Sequence, residues 1–423
     1  MTTLQDTSIH TFDYFDDLIY NKETYMFRSW KVTLSVLGLG LLGFGLLELG
    51  VININPVRQE LNRDNTDYVQ QLEHLNETIS SFEARAATMP NSWFALELVA
   101  ANYLARARLT GNYDDYAAAE QVLAQAFALS GEQGGANLSR AQLNYSLHRI
   151  SDAQADLAQA ADRLLLSSTE QAAITGYEGD VLFYQGDYAG ALAAYEAALE
   201  LAANSTNLFR LAHYYWRTGD TSQAEDFLTQ AETASRGTDA QLSAFFHLHR
   251  GLIDLDLERY DDALTHYYAA DRAFSGWWLV REHIAEIYVE QGKLAEARNI
   301  YEQVIAETGS PEFMDALAGL AELEGNTTEA ESLRQQARAV YEQQLVRFPE
   351  ASYGHALGHF LDLADDPDRT LELAQANYSL RPYGESARLL AQAHLLAGQP
   401  EQAQLLVDDV LASSWHSADV DAV

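Results

Sequence analysis

Residues 176–201 read GYEGDVLFYQGDYAGALAAYEAALEL. Gly179 and Leu182 share one face of a first segment, Gly186 ends that segment, and Tyr188 fills the crevice beyond the turn. Ala191, Tyr195, Ala198 and Leu199 then recur at the spacing of a single helix face. The stretch predicts two antiparallel helices that meet through small residues, which permit close approach, while tyrosine and leucine supply the bulk.

The same design returns as Leu211, Ala212, Tyr215, Gly219, Ala224 and Ala231, and as Gly251, Tyr260, Ala263, Tyr267 and Ala270. It returns again as Ile284, Ala285, Tyr288, Gly292, Ala297 and Tyr301, and finally as Leu390, Ala391, Gly398 and Ala403. Aligning the residue that opens each second helix gives Ala119, Ala153, Ala191, Ala224, Ala263, Ala297, Ala330, Thr370 and Ala403, at intervals of 34, 38, 33, 39, 34, 33, 40 and 33. Units of this period bury their apolar faces only against their neighbours, so the expected fold is an all-α solenoid. The first units depart from the pattern: Thr110 to Tyr116 lengthen one turn, and Ser146 to Ser151 replace the usual turn glycine. No proline falls between Pro90 and Pro311, whereas Pro349, Pro367, Pro382 and Pro400 lie where helices should start or stop.

The 423 residues include 62 acidic and 26 basic side chains, for a formal charge of -36. That charge repels phosphate backbones and removes the term that dominates nucleic-acid affinity, so DNA and RNA are excluded as partners. Beyond Lys31 the only lysine is Lys293. Such an acidic surface suits a salty compartment or simple solubility, and melting at low and high salt separates the two. The chain has no cysteine, which rules out disulfides, thiolate nucleophiles and thiolate metal sites.

Before the repeats, Val32 to Ile54 form a mainly apolar run of 23 residues behind Arg28, Trp30 and Lys31. At about 1.5 Å per residue this spans roughly 34 Å, enough for a bilayer core, so a transmembrane helix is expected over residues 30–54. Acidic residues ahead of the run and the lack of a cleavage site favour an uncleaved anchor over a signal peptide. Lys22, Arg28 and Lys31 on one flank, against Arg58 and Arg63 on the other, lean towards an inside N-terminus. Gly38, Gly40 and Gly43 spell a dinucleotide fingerprint, but in an apolar run they form no cofactor site, and no cofactor is expected. Residues 55–89 follow as a connecting helix in which Leu61, Tyr68, Leu75 and Phe82 recur every seven positions, with Asn65, Leu72 and Ile79 in the intervening register. This seam fits either a parallel homodimer through residues 57–83 or one amphipathic helix against the next module. Residues 1–29 and 414–423 read as mobile tails, leaving residues 90–413 as the repeat domain.

These units resemble the tetratricopeptide repeat, about nine times over. The resemblance implies a right-handed superhelix whose concave face, lined by the first helix of each unit, holds protein or peptide partners. By register that groove includes Asp180, Phe183, Tyr184, Phe209, His213, Trp216, Arg217 and Leu252, then acidic Glu282, Glu286 and Glu290. Phe209 and Trp216 are the expected anchors, and the glutamates should attract basic residues. The Lys/Asn clamp with which some members hold chaperone C-termini is missing, since Gly176, Asp180, Phe209 and His213 occupy its register. No nucleotide, zinc-protease or serine-hydrolase motif survives inspection, so no enzyme is expected. The best metal candidates are His355, His359 and Asp362, a weak set because a histidine pair at this spacing is more often unliganded. The layout is similar to bacterial inner-membrane tetratricopeptide proteins that assist secretion, envelope assembly or quality control, with the body on the periplasmic side. The alternative is a structural subunit that assembles through its convex and terminal surfaces.

Overall fold

The computed structural model describes residues 67–163, 165–235 and 239–416. Among them are nineteen α-helices, one short 3-10 turn and no strand. Helix α1 (Tyr68–Thr88) precedes nine antiparallel pairs: α2 (Trp93–Thr110) with α3 (Tyr113–Ser130), α4 (Asn137–Ser146) with α5 (Ile150–Ala161), and α6 (Ser168–Tyr184) with α7 (Tyr188–Leu201). The middle three are α8 (Ser205–Arg217) with α9 (Thr221–Ser235), α10 (Ala240–Asp256) with α11 (Tyr260–Ala273), and α12 (Trp278–Glu290) with α13 (Leu294–Thr308). The last are α14 (Pro311–Leu323) with α15 (Thr327–Arg347), α16 (Pro349–Leu363) with α17 (Pro367–Leu380), and α18 (Gly384–Leu396) with α19 (Pro400–Ala412). The expected membrane span, the first tail and heptad positions Leu61 and Asn65 lie outside the described residues. No described helix is long and apolar enough to cross a membrane.

Local chemistry sets the helix boundaries. Asp67, Asn204 and Asp239 accept from the backbone amide three residues on, and Ser167 with Glu170 forms a reciprocal capping box. Pro311, Pro349, Pro367 and Pro400 open helices where a missing N–H leaves no bond unmade. Each of the nine pairs turns through one residue in the left-handed region. Six use glycine, from Gly111 (φ 71°) to Gly398 (φ 71°), and the others use His148, Glu258 and Ala364 at φ 60°, 56° and 51°.

Between paired helices the aligned residues at positions 119, 153, 191, 224, 263, 297, 330, 370 and 403 are all buried. Tyr195, Tyr267 and Tyr301 of α7, α11 and α13 are buried at equivalent positions, and a large side chain fully buried this way contributes about 1.5–3 kcal/mol. Space for them comes from small residues opposite: a Cβ added at Gly251 would lie 2.3 Å from the Tyr267 ring.

The stack also returns upon itself. Trp278 Nε1 donates to the Leu109 carbonyl at 3.0 Å, and the Tyr113 and Phe348 rings lie 5.4 Å apart. Arg381 Nη1 donates to His148 Nε2 at 3.1 Å, and the Gly384 amide donates to the Tyr188 hydroxyl at 2.9 Å. The first three pairs therefore touch the sixth, eighth and ninth, and the inward helices face other protein. On α1, the seam residues Tyr68, Leu75 and Ile79 are buried within the one chain, with the Tyr68 amide donating to the Ser275 carbonyl at 3.1 Å. Of the described seam, Leu72 and Phe82 are half-buried, so the stripe is covered only in part.

Candidate functional site

The first helices of the third to sixth pairs bring the sequence-derived groove residues onto one inward surface. All are buried except Glu290, which is half-buried. They fall into three groups with different chemistry.

The first group is a fully buried ion pair. Arg210 Nε lies 3.1 Å from each Asp180 oxygen, and Nη2 lies 3.0 Å from Oδ2. Burial pushes the Asp180 carboxyl above its usual range, with Arg210 pulling the other way. This carboxylate is therefore engaged by the neighbouring pair of helices.

The second group is aromatic. Phe209 lies 4.8 Å from Phe245 and 4.6 Å from His249, so one expected anchor is held between units. Trp216, the other, donates from Nε1 to Asp256 at 2.8 Å and carries the Arg217 guanidinium 3.7 Å above its ring. Leu252 joins the same core. Phe183 and Tyr184 face the last pair of helices: Tyr184 meets Tyr383 edge-on at 4.9 Å, and Phe183 meets Trp415 at 6.0 Å. Trp415, assigned by sequence to a mobile tail, is 2% exposed. Its ring also contacts Tyr188 and Tyr383, and Arg217 lies 5.6 Å away. Gly384 forms the floor of this slot, since a Cβ there would sit 2.1 Å from the indole. The next residue, His416, donates its amide to the Arg217 carbonyl at 2.8 Å. The chain's own C-terminal segment thus lies across part of the expected groove.

The third group is titratable. Burial, reinforced by Arg217, lowers the His213 imidazole well below its ordinary value. Burial lowers His249 to about 3, even though its Nδ1 donates to the Phe245 carbonyl at 2.9 Å, a bond that pulls the other way. His283 follows the same register on α12 and behaves oppositely. Its Nε2 lies 2.9 Å from Glu282 Oε1 and its Nδ1 3.2 Å from Glu286 Oε2. Burial alone would lower it, but the two carboxylates override that and push it up to about 10.

The candidate metal set does not converge. His355 Nδ1 pairs with Glu312 at 3.0 Å and His359 Nδ1 with Asp315 at 2.9 Å, both carboxylates coming from α14. Asp362 belongs to no three-residue donor group among the described residues; the one such group is Glu282, His283 and Glu286.

Residues 174–205, 206–237 and 280–307 match family models described as tetratricopeptide repeat. The chain carries tetratricopeptide repeats. No curated protein matches it. Among solved structures, it is similar to a human IFIT1 dimer with m7Gppp-AAAA at 14% identity and TM-score 0.48, covering 92% of this chain and 94% of that one. It is also similar to yeast Tom70, at 12% identity and TM-score 0.44, covering 81% and 84%. The Rap conjugation gene regulator of plasmid pLS20 in complex with the Phr* peptide gives 14% identity and TM-score 0.44, covering 75% and 95%. The tetratricopeptide repeats imply a protein-interaction scaffold.

Sequence reading overlooked Trp415 and His283. Trp415 gave no signal, because it lies beyond the last tetratricopeptide unit. His283 had one: His213, His249 and His283 stand in phase, 36 and 34 residues apart.

Proposed function

We propose that this chain is a membrane-anchored scaffold that captures partner segments at the slot formed by Phe183, Tyr188, Arg217, Tyr383 and Gly384. The observation carrying the reading is Trp415, whose indole fills the slot while the following amide bonds to the Arg217 carbonyl, as an extended ligand would. A partner segment with an aromatic side chain displaces it. Residues 32–54 attach the protein to a bacterial inner membrane, with the repeats on the periplasmic side. Protease added to intact spheroplasts would then degrade the repeats, and full protection would reverse the orientation.

The runner-up is a structural subunit that uses its convex surface. Burial of Asp180 and Phe209 favours it, as do the exposed Val346, Leu405 and Leu411. A photo-crosslinking residue placed at Tyr188 or at Leu405, in the full chain in native membranes, distinguishes the two. The slot reading expects adducts at position 188 that increase when Trp415→Ala is added. Adducts confined to position 405, unchanged by that substitution, overturn it in favour of the convex surface.

A further inference from the structure

Three side chains on the inward face of α12 supply one donor atom each, all within 4.8 Å of one another: Glu282, His283 and Glu286. All three are buried. The charges acting on Glu286 are one imidazole, His283, and two further carboxylates, Glu282 and Glu290. Two glutamates in the interior with one imidazole as counter-charge is an unfavourable arrangement, because a buried carboxylate needs both neutralisation and a full set of bonds. That set is incomplete: Glu286 Oε1 has no hydrogen-bond partner. An independent feature borders the same place. Tyr267 of α11 is 0% exposed, its ring stacks on His283 at 5.3 Å, and its hydroxyl, in the field of Glu286 and Glu282, also lacks a partner.

We propose that Glu282, His283 and Glu286 form a divalent metal site of the Zn2+ class inside the solenoid. Carboxylate oxygens and an imidazole nitrogen at about 2.0–2.2 Å are ordinary zinc donors, and binding here requires one His283 nitrogen to give up its proton and both glutamates to turn towards that nitrogen. Three protein donors leave a fourth position for water. The imidazole favours zinc, cobalt or nickel over magnesium and calcium, which prefer oxygen alone. A basic side chain from a partner protein would satisfy the charge, but burial of both glutamates admits a small ion more readily than a lysine or arginine.

The test uses the full chain, stripped with chelator, then titrated with Zn2+ by calorimetry in excess Mg2+ to suppress diffuse binding by surface carboxylates. The expected result is one zinc per chain and an upward shift in melting temperature. Glu286→Gln and His283→Gln should each weaken binding by about 100-fold or more, while His355→Gln should leave it unchanged. Co2+ provides a second readout that does not depend on any variant folding: bound at this nitrogen and oxygen set, it should give visible absorption bands that Zn2+ abolishes. No stoichiometric zinc binding to the unaltered chain overturns the proposal. So does binding that survives the Glu286 and His283 substitutions intact.

Discussion

Ala364 ends α16 at φ 51° and ψ 24°, a conformation in which its Cβ crowds the following carbonyl. Six of the nine equivalent turns use glycine. The left-handed strain is about 1–2 kcal/mol and the extra chain entropy of glycine about 0.5–1 kcal/mol, so relief of strain wins. Ala364→Gly should therefore stabilise the protein by about 0.5–1 kcal/mol in denaturant melts, and Gly398→Ala should do the reverse. Gly186, Gly219, Gly292 and Gly398 were legible in the sequence, whereas Gly325 was not read, Gly111 lies in a stretch expected to lengthen a turn that proves as short as the others, and His148, Glu258 and Ala364 carry no such signal because they are not glycine. Burial also fixes a pH response. His148, His213 and His249 all have folded values below the unfolded 6.5, so the unfolded chain binds protons that the folded chain refuses. Their stabilising effect is complete above about pH 6.5 and is lost as pH falls, for His249 down to about 3, by about 1.4 kcal/mol per pH unit for each group. His283, held up at about 10, stays protonated in the folded chain while the unfolded imidazole titrates near 6.5, so it opposes the decline at the top of that window and adds no slope well below it. Melting from pH 7 to 4 should show the decline, and His249→Gln should make it shallower by one proton's worth. An identical slope in that variant would contradict the assignment.

At the scale of elements, α1 shows what a periodic pattern conveys and what it omits. The heptad spacing correctly marks a buried stripe through Tyr68, Leu75 and Ile79. It cannot say what covers the stripe, since a second copy and the chain's own α2 present similar apolar surfaces. Contact with α2 and with the loop before α12 occurs here within one chain. Ile79→Ala should therefore cost about 2–4 kcal/mol in chemical denaturation while leaving the mass by light scattering unchanged. A drop in mass with no loss of monomer stability would restore the coiled-coil reading. The paired helices were the most legible elements, because each unit repeats the same small-residue seam and nine copies reinforce one another. Register puts Asp180, Phe183, Trp216 and Glu282 on first helices, where the structure buries all four, and that burial depends on what lies opposite, which the repeat does not encode.

For the whole molecule, repetition encodes contacts between neighbours, whereas closure of the solenoid depends on residues outside the repeat. Trp278, Phe348, Arg381 and Trp415 occupy no repeat position, yet they join units far apart in sequence. The closure has two separate tryptophan fastenings: Trp278, bonded to Leu109, and Trp415, seated on Phe183 and Tyr188. Removing a buried tryptophan side chain forfeits about 3–5 kcal/mol, more than a single contact between distant units returns on its own. Trp278 also meets Phe313 of the next pair and Trp415 meets Tyr383, but the alanine and tyrosine seams between paired helices involve neither indole, so most helix content should survive their loss. Trp278→Ala combined with Trp415→Ala should therefore open the molecule: small-angle scattering should report a larger radius of gyration while far-ultraviolet circular dichroism stays the same. Leu405→Ala, at an exposed position on α19, serves as the control and should change stability by less than about 0.5 kcal/mol. A double variant with the same scattering profile as the parent would mean that closure rests on the polar contacts around His148 and Arg381, and the tryptophans merely fill space.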